Sequence, residues 1–242
     1  MKKLFCLGLA AIMPITNIPC TNLHKIIPVI ETTSTISNLH SSVIVIKDEL
    51  ISKDDLIEVN LQIPVIKGLK DIQLQEKINS IFREDILSFK NEIEEMAKEY
   101  SDQAENHGIP MIPHTAITSY KVTCNKGNIL SIYINYYQYT GGAHGLTIRK
   151  GYNINLNDGT KLTLNGLFKE CTPYKDIINK EISRQISENK EMYFPSTFKE
   201  ISEEQEFFID GKNIVIFFQL YDIAPYALGI PEFKIPLDKF KV

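Results

Sequence analysis

The clearest alternation in the chain runs over residues 129–139. Leu130, Ile132, Ile134 and Tyr136 fall on one face of an extended strand. Ser131, Tyr133, Asn135, Tyr137 and Tyr139 fall on the other, because side chains in a strand alternate with period two. The aliphatic face calls for a core. The tyrosine-rich face can meet water or a partner, since tyrosine joins an apolar ring to a polar tip, but Tyr133, Tyr136, Tyr137, Tyr139 and Tyr152 are expected mostly to pack sheet faces. The strand then enters Thr140-Gly141-Gly142-Ala143-His144-Gly145. So many glycines so close together call for positive φ or for a close approach to the backbone.

Strands are also predicted at residues 43–46 and 56–65, joined by the polar turn Ser52-Lys53-Asp54-Asp55. Pro64 marks an edge or a strand end. The strongest helix pattern covers residues 71–100, where Leu74, Ile78, Ile81, Phe82, Phe89, Ile93, Met96 and Tyr100 recur at steps of three and four. Its acidic positions lie mostly between these and read as a solvated face. Residues 101–114, with Gly108, Pro110 and Pro113, read as a loop. A hairpin around Asn125-Lys126-Gly127 joins a strand at 115–124 to the one at 129–139. Another strand follows at 146–156, then the turn Asn157-Asp158-Gly159.

A second, shorter helix is predicted over 174–189 from the stripe Tyr174, Ile177, Ile178, Ile182 and Ile186. Asp210-Gly211 signals a hairpin between Phe207-Phe208-Ile209 and residues 213–221, and a last strand covers 233–237. The aromatic run from Phe217 to Tyr226 reads as core plus a turn. Strands outnumber helices without alternating regularly with them. The expected class is α+β, with largely antiparallel sheets, one long and one shorter packed amphipathic helix, and two subdomains.

The chain has 242 residues, 43% hydrophobic and 23% charged, which is ordinary globular composition. Its net charge of −4 lacks the basic surplus that nucleic-acid binding by counterion release requires. Lys2-Lys3 followed by the apolar run 4–13 reads as an export signal, cleaved or left as an anchor, and membrane contact is expected only through this segment. Cys20 raises lipidation as an alternative, although Asn17-Ile18-Pro19 before it fits a lipobox poorly. Cys124 and Cys171 form a possible disulfide in an exported protein, with buried thiols as the alternative.

No nucleotide-binding glycine pattern, no GxSxG elbow and no HExxH pair occurs. His107, His114 and His144 lack metal-ligand spacing, and no cofactor is expected. The candidate ligand-binding residues are therefore those of the glycine corner: Tyr137, Tyr139, Gly141, Gly142, His144 and Gly145. No catalytic residue is assigned.

Three blocks, YYQYTGGAHG, NINLNDGTKLTLNGLF and FFQLYDIAPYALGIPEFKIPL, resemble the paired extracytoplasmic domains of RsiV-type anti-sigma factors. The same pair precedes the catalytic domain of PdaC-type peptidoglycan deacetylases. Residues 1–20 read as the signal or anchor and the Thr-, Ser-, Asn- and Pro-rich residues 21–42 as a tether, and the resemblance implies a PdaC-type domain at 43–145 and an RsiV-like C-terminal domain at 146–242. It also implies a binding role in the envelope, because RsiV binds lysozyme through this region. Two departures narrow that expectation. Only Met1 to Lys3 precede the apolar run, which leaves a sigma factor nothing to hold, and Asp54-Asp55 lacks the paired histidines of a metal-dependent deacetylase. The expected function is an exported, non-catalytic module that recognises a lysozyme-like protein or peptidoglycan. A small envelope hydrolase using His144 and a lipoprotein scaffold are the alternatives.

Overall fold

The computed structural model describes residues 43–240; the expected signal and tether lie outside them. Five strands form the first sheet in the order β1 (Ile44–Lys53), β2 (Ile57–Lys67), β3 (His114–Lys126), β4 (Ile129–Tyr139), β5 (Leu146–Asn155). All neighbours are antiparallel except β2 and β3, which run parallel over Ile57–Leu61 and His114–Thr118. The long helix α1 (Ile72–His107) separates them in sequence and supplies the crossover that a parallel pair needs.

The Asp71 carboxylate caps the start of α1 by accepting from Leu74 N at 3.0 Å. The helix runs past residue 100, where the sequence pattern ended it. Its buried stripe continues from Ile93 through Ala97 to Ala104, and left-handed Gly108 (φ 63) stops it. Small alanines replaced the large residues that made the stripe visible. Ile86 belongs to that stripe, whereas Met96 is exposed.

The stripe packs on Val59, Leu61, Leu130, Ile132 and Ile134, all fully buried. Tyr136 and Tyr152 close this core edge-on to Phe89 and Phe82, with ring centroids 5.3 Å apart in each pair. Their hydroxyls lie 2.6 Å apart, and Tyr152 donates to Asp85 at 2.7 Å. Burial pushes both phenols well above the usual tyrosine range. These two rings are packing elements.

Pro64 sits inside the sheet sequence, yet beyond the last β2–β3 pair, Leu61 with Thr118. There β2 has a locally open edge. Next along it, the Asn79 amide accepts from Ile66 N at 2.7 Å and donates to Ile66 O at 3.1 Å. Proline has no N–H to leave orphaned at that edge.

The second sheet orders β6 (Phe207–Asp210), β7 (Asn213–Phe217) and β8 (Glu232–Pro236), antiparallel throughout. Helix α2 (Tyr174–Glu188) covers it with Ile178 and Ile182, against Ile214, Ile216, Phe233 and Ile235. Strand β7 ends at Phe217, four residues short of the predicted end, because the chain turns at 218–222.

The two halves meet on the tyrosine-bearing face of β4. Ser131 is fully buried; its Oγ accepts from Ile209 N at 2.9 Å and donates to Asn153 at 2.6 Å. Asn153 donates to Phe207 O at 2.9 Å. Tyr133 packs on Phe208 at 5.0 Å and under the Arg149 guanidinium at 4.1 Å. The tyrosine-bearing face is thus largely covered by the chain's own second sheet, as sheet packing of its tyrosines requires. Gly151 permits this contact, since a Cβ there would lie 2.2 Å from Phe207 O.

Candidate functional site

The turn from β4 to β5 forms a corner whose glycines answer two separate needs. Gly141 and Gly142 have φ 98 and 96, a region that favours glycine. Gly145 does not. A Cβ there would lie 2.4 Å from the Tyr137 ring and 2.5 Å from Gln138 O, so the ring's approach requires its absence. The Tyr139 hydroxyl donates to Gly142 O at 3.0 Å and braces the loop. Tyr137 and Tyr139 therefore support the corner, both half-buried, while the exposed His144 is its functional group.

His144 meets two residues from the far end of the sequence. Its ring stacks on Tyr226 with centroids 4.1 Å apart and planes 23° apart. Its Nδ1 lies 3.0 Å from Gly145 O, and its Nε2 lies 3.2 Å from the Tyr221 hydroxyl. A carbonyl only accepts, so Nδ1 carries the proton in the neutral ring and Nε2 accepts from Tyr221. The Tyr226 hydroxyl donates to the same Gly145 carbonyl at 3.2 Å. Tyr221 and Tyr226 lie 5.8 Å apart, and Tyr221 is 49% exposed.

Tyr221 also holds φ 69. A left-handed backbone costs a bulky residue about 1–2 kcal/mol. The turn holds it there: Asp222 accepts from Gln219 N at 2.8 Å, and Asp222 N donates to Gln219 O at 3.2 Å. Strain maintained under an exposed aromatic ring marks a place where position matters more than stability.

Beside this trio runs an open groove of about 450 Å³, lined by Thr147, Arg149, Leu220, Tyr226, Leu228 and Ile230 among others. The Gln219 amide accepts from Arg149 N at 2.9 Å and donates to Arg149 O at 2.7 Å, so Arg149 turns its backbone away from β4. By the antiparallel alternation Thr147 does the same, and its N–H and C=O face the groove. At the inner end Arg149, 8% exposed, donates to Glu232 at 2.5 Å and to Asn135 at 2.8 Å. The corner can offer stacking rings, a hydroxyl, an exposed peptide rung and an apolar wall.

The other sequence candidates fall apart spatially. His107 ends α1 and His114 is buried beside Tyr100. Among the described residues no group of three or more His, Cys, Asp and Glu is placed to hold a metal ion. Cys124 is a free thiol, half-buried against the second core, so the disulfide with Cys171 is not formed. Burial pushes the Cys124 thiol up, which keeps it unreactive at neutral pH. Sequence reasoning placed Tyr221 and Tyr226 in core plus turn; only Pro225 and Gly229, flanking the second tyrosine, hinted at an exposed loop.

Comparison with known proteins places this geometry in context. Residues 51–147 match the family described as "Deacetylase PdaC", and residues 165–238 match "Protein of unknown function (DUF3298)". The two matched stretches follow one another in the order of the domain pair that the sequence blocks resemble. It is 26% identical over 199 residues to the anti-sigma-V factor RsiV of Bacillus subtilis, covering 78% of this chain and 66% of RsiV. It is 22% identical over 172 residues to the peptidoglycan-N-acetylmuramic acid deacetylase PdaC of the same organism, 69% of this chain and 34% of PdaC. An esterase of Mycobacterium tuberculosis, Rv3036c, is 27% identical over 110 residues, 44% of this chain and 48% of the esterase. The chain spans at most 66% of any of these relatives. A crystallised DUF3298 family protein from Bacteroides fragilis shares the fold, with TM-score 0.66 and 21% identity over 81% of this chain and 91% of that one.

Proposed function

We propose that this protein is an exported, non-catalytic binding module of the cell envelope, and that it holds a lysozyme-like protein or a peptidoglycan strand at the His144–Tyr226–Tyr221 corner. The observation that carries the reading is the trio itself: stacked rings, two of them exposed and one on strained backbone, beside a groove with an unpaired peptide rung. Tyrosine anchors in partly desolvated pockets dominate binding surfaces. Sugar rings stack on such faces, and a peptide or an N-acetyl amide pairs with a free N–H and C=O. The relatives support an envelope setting, since one is named an anti-sigma factor and another a deacetylase of peptidoglycan. Among the described residues, His144 Nδ1 faces a carbonyl and not the carboxylate that would orient the ring of a general base.

The test is titration of the protein with lysozyme and, in parallel, with purified peptidoglycan. The reading expects saturable binding to one of them and a loss of about tenfold or more in Tyr226→Ala. Hydrolytic turnover that His144→Ala abolishes would overturn it in favour of a hydrolase, the activity named for the partial esterase relative.

A further inference from the structure

The two outer strands of the first sheet are finished in opposite ways. Along β5 the outward backbone groups are taken one after another. Tyr226 donates to Gly145 O, Gln219 spans Arg149, Glu206 accepts from Gly151 N, Leu162 N donates to Asn153 O, and Asn155 N donates to Thr160 O. Thr147 is left for the groove.

Strand β1 has no such cover among the described residues. Ile66 gives its N–H and C=O to Asn79, so its partner Val45 also turns its own away from β2. By alternation Lys47, Glu49, Ile51 and Lys53 do likewise. The Glu49 N–H confirms the parity, since it reaches the Asp48 carboxylate at 3.0 Å and not β2. This open edge is ten residues long and carries exposed apolar side chains: Ile44 62%, Ile46 37% and Ile51 69%. An edge of that length and character is a template for another strand.

Its charge pattern says which strand. Laid antiparallel on a copy of itself, β1 has one register that pairs Ile44 through Ser52 and sets Lys47 and Glu49 of each strand against an opposite charge. Lys47 then faces the copy's Glu49, and Glu49 its Lys47. Within each chain these two already lie 2.6 Å apart, so the pair of strands makes an alternating square of charges. Val45 faces Ile51 and Ile46 faces Leu50, covering two of the three exposed isoleucines. Asp48 meets its own copy on the two-fold axis, and each is neutralised by Arg83 of its own chain at 3.0 Å. Shifting the register by one residue on each strand sets Glu49 against Glu49 or Lys47 against Lys47. The charges that repel a random strand therefore select this one.

We propose that β1 is a homodimer interface, joining two copies by antiparallel β1–β1 pairing into one continuous sheet with two-fold symmetry. It lies across the sheet from the His144 corner and leaves both corners free.

The test is sedimentation equilibrium over a concentration series on the wild-type protein and three variants. Wild type is expected to dimerise. Lys47→Glu and Glu49→Lys each set like charges opposite one another twice per dimer, and each is expected to raise the dissociation constant about tenfold. The double reversal, Lys47→Glu with Glu49→Lys, restores every opposite pair and is expected to restore the dimer. The thermal midpoints of all four at low protein concentration check that the fold is intact. A protein that stays monomeric throughout, as when another segment of the chain fills the edge, overturns the proposal. So does a dimer that the single reversals leave unchanged.

Discussion

At the scale of single residues, Gly145 carries the corner. Its missing Cβ lets the Tyr137 ring lie against the backbone, and its carbonyl collects both His144 and Tyr226. Gly145→Ala puts a methyl group 2.5 Å from Gln138 O, a backbone atom that cannot swing aside. The expected cost is about 1–3 kcal/mol of stability, with weaker ligand binding because the His144–Tyr226 stack is displaced. Gly142→Ala meets nothing within 4 Å and suffers only from its φ of +96, so about 1 kcal/mol is expected. Thermal unfolding of the two variants, with binding measured alongside, checks the order; equal losses would refute the assignment of different roles. The glycine run in the sequence announced both needs without saying which residue served which. The aromatic partners of His144 gave no signal, because they lie more than seventy residues away and periodicity does not encode contacts at that range.

At the scale of elements, the fold was legible wherever apolar spacing was strong. Helix α1, the β3–β4 hairpin and the β6–β7 hairpin stand where the patterns put them. The misses share one cause: a local pattern cannot see what covers it. Helix α1 extends on alanines, β7 stops early at a turn, and Ser131 and Tyr133 lie under the second sheet. Glu181 is another case. It sits among the isoleucines of α2, where a carboxylate reads as surface, yet it is only 6% exposed. Arg184, Lys239 and Gln185 surround it, the first at 2.7 Å and the second, from the C-terminal turn, at 2.9 Å. Arg184, then Lys239 and Gln185, hold its carboxyl down from 4.5 to about 2, against the opposing effect of burial. A depressed carboxyl stabilises the fold above its unfolded pKa and loses that contribution as pH falls through the folded value. Urea unfolding should show Glu181→Gln about 2–3 kcal/mol weaker at pH 7, the gap closing between pH 4.5 and 2. A gap independent of pH would mean that packing, not charge, is what the substitution removed.

At the scale of the whole molecule, the two sheets are joined by polar contacts, and one of them is a half-buried acid. Glu206, at the entry to β6, reaches back across the joint to accept from Gly151 N at 2.9 Å. Burial raises its pKa, opposed by that N–H and by Lys161 and Lys150. For an acid whose folded pKa lies above its unfolded one, the folded state keeps its proton longer as pH rises. Its contribution is most favourable below the unfolded value and declines as pH climbs through the folded value. Glu206→Gln keeps a carbonyl oxygen for Gly151 and removes the half-buried charge. It should match or exceed wild type in stability at pH 7, and the difference should shrink toward pH 4. Glu206→Ala instead strands the Gly151 N–H in the joint, and should cost about 1–3 kcal/mol at every pH. Thermal unfolding of the three proteins from pH 4 to 8, followed by circular dichroism, separates the two effects. Should the glutamine variant lose stability at pH 7 as the alanine does, the charge itself holds the sheets together, and the joint is an ionic contact rather than a packed one.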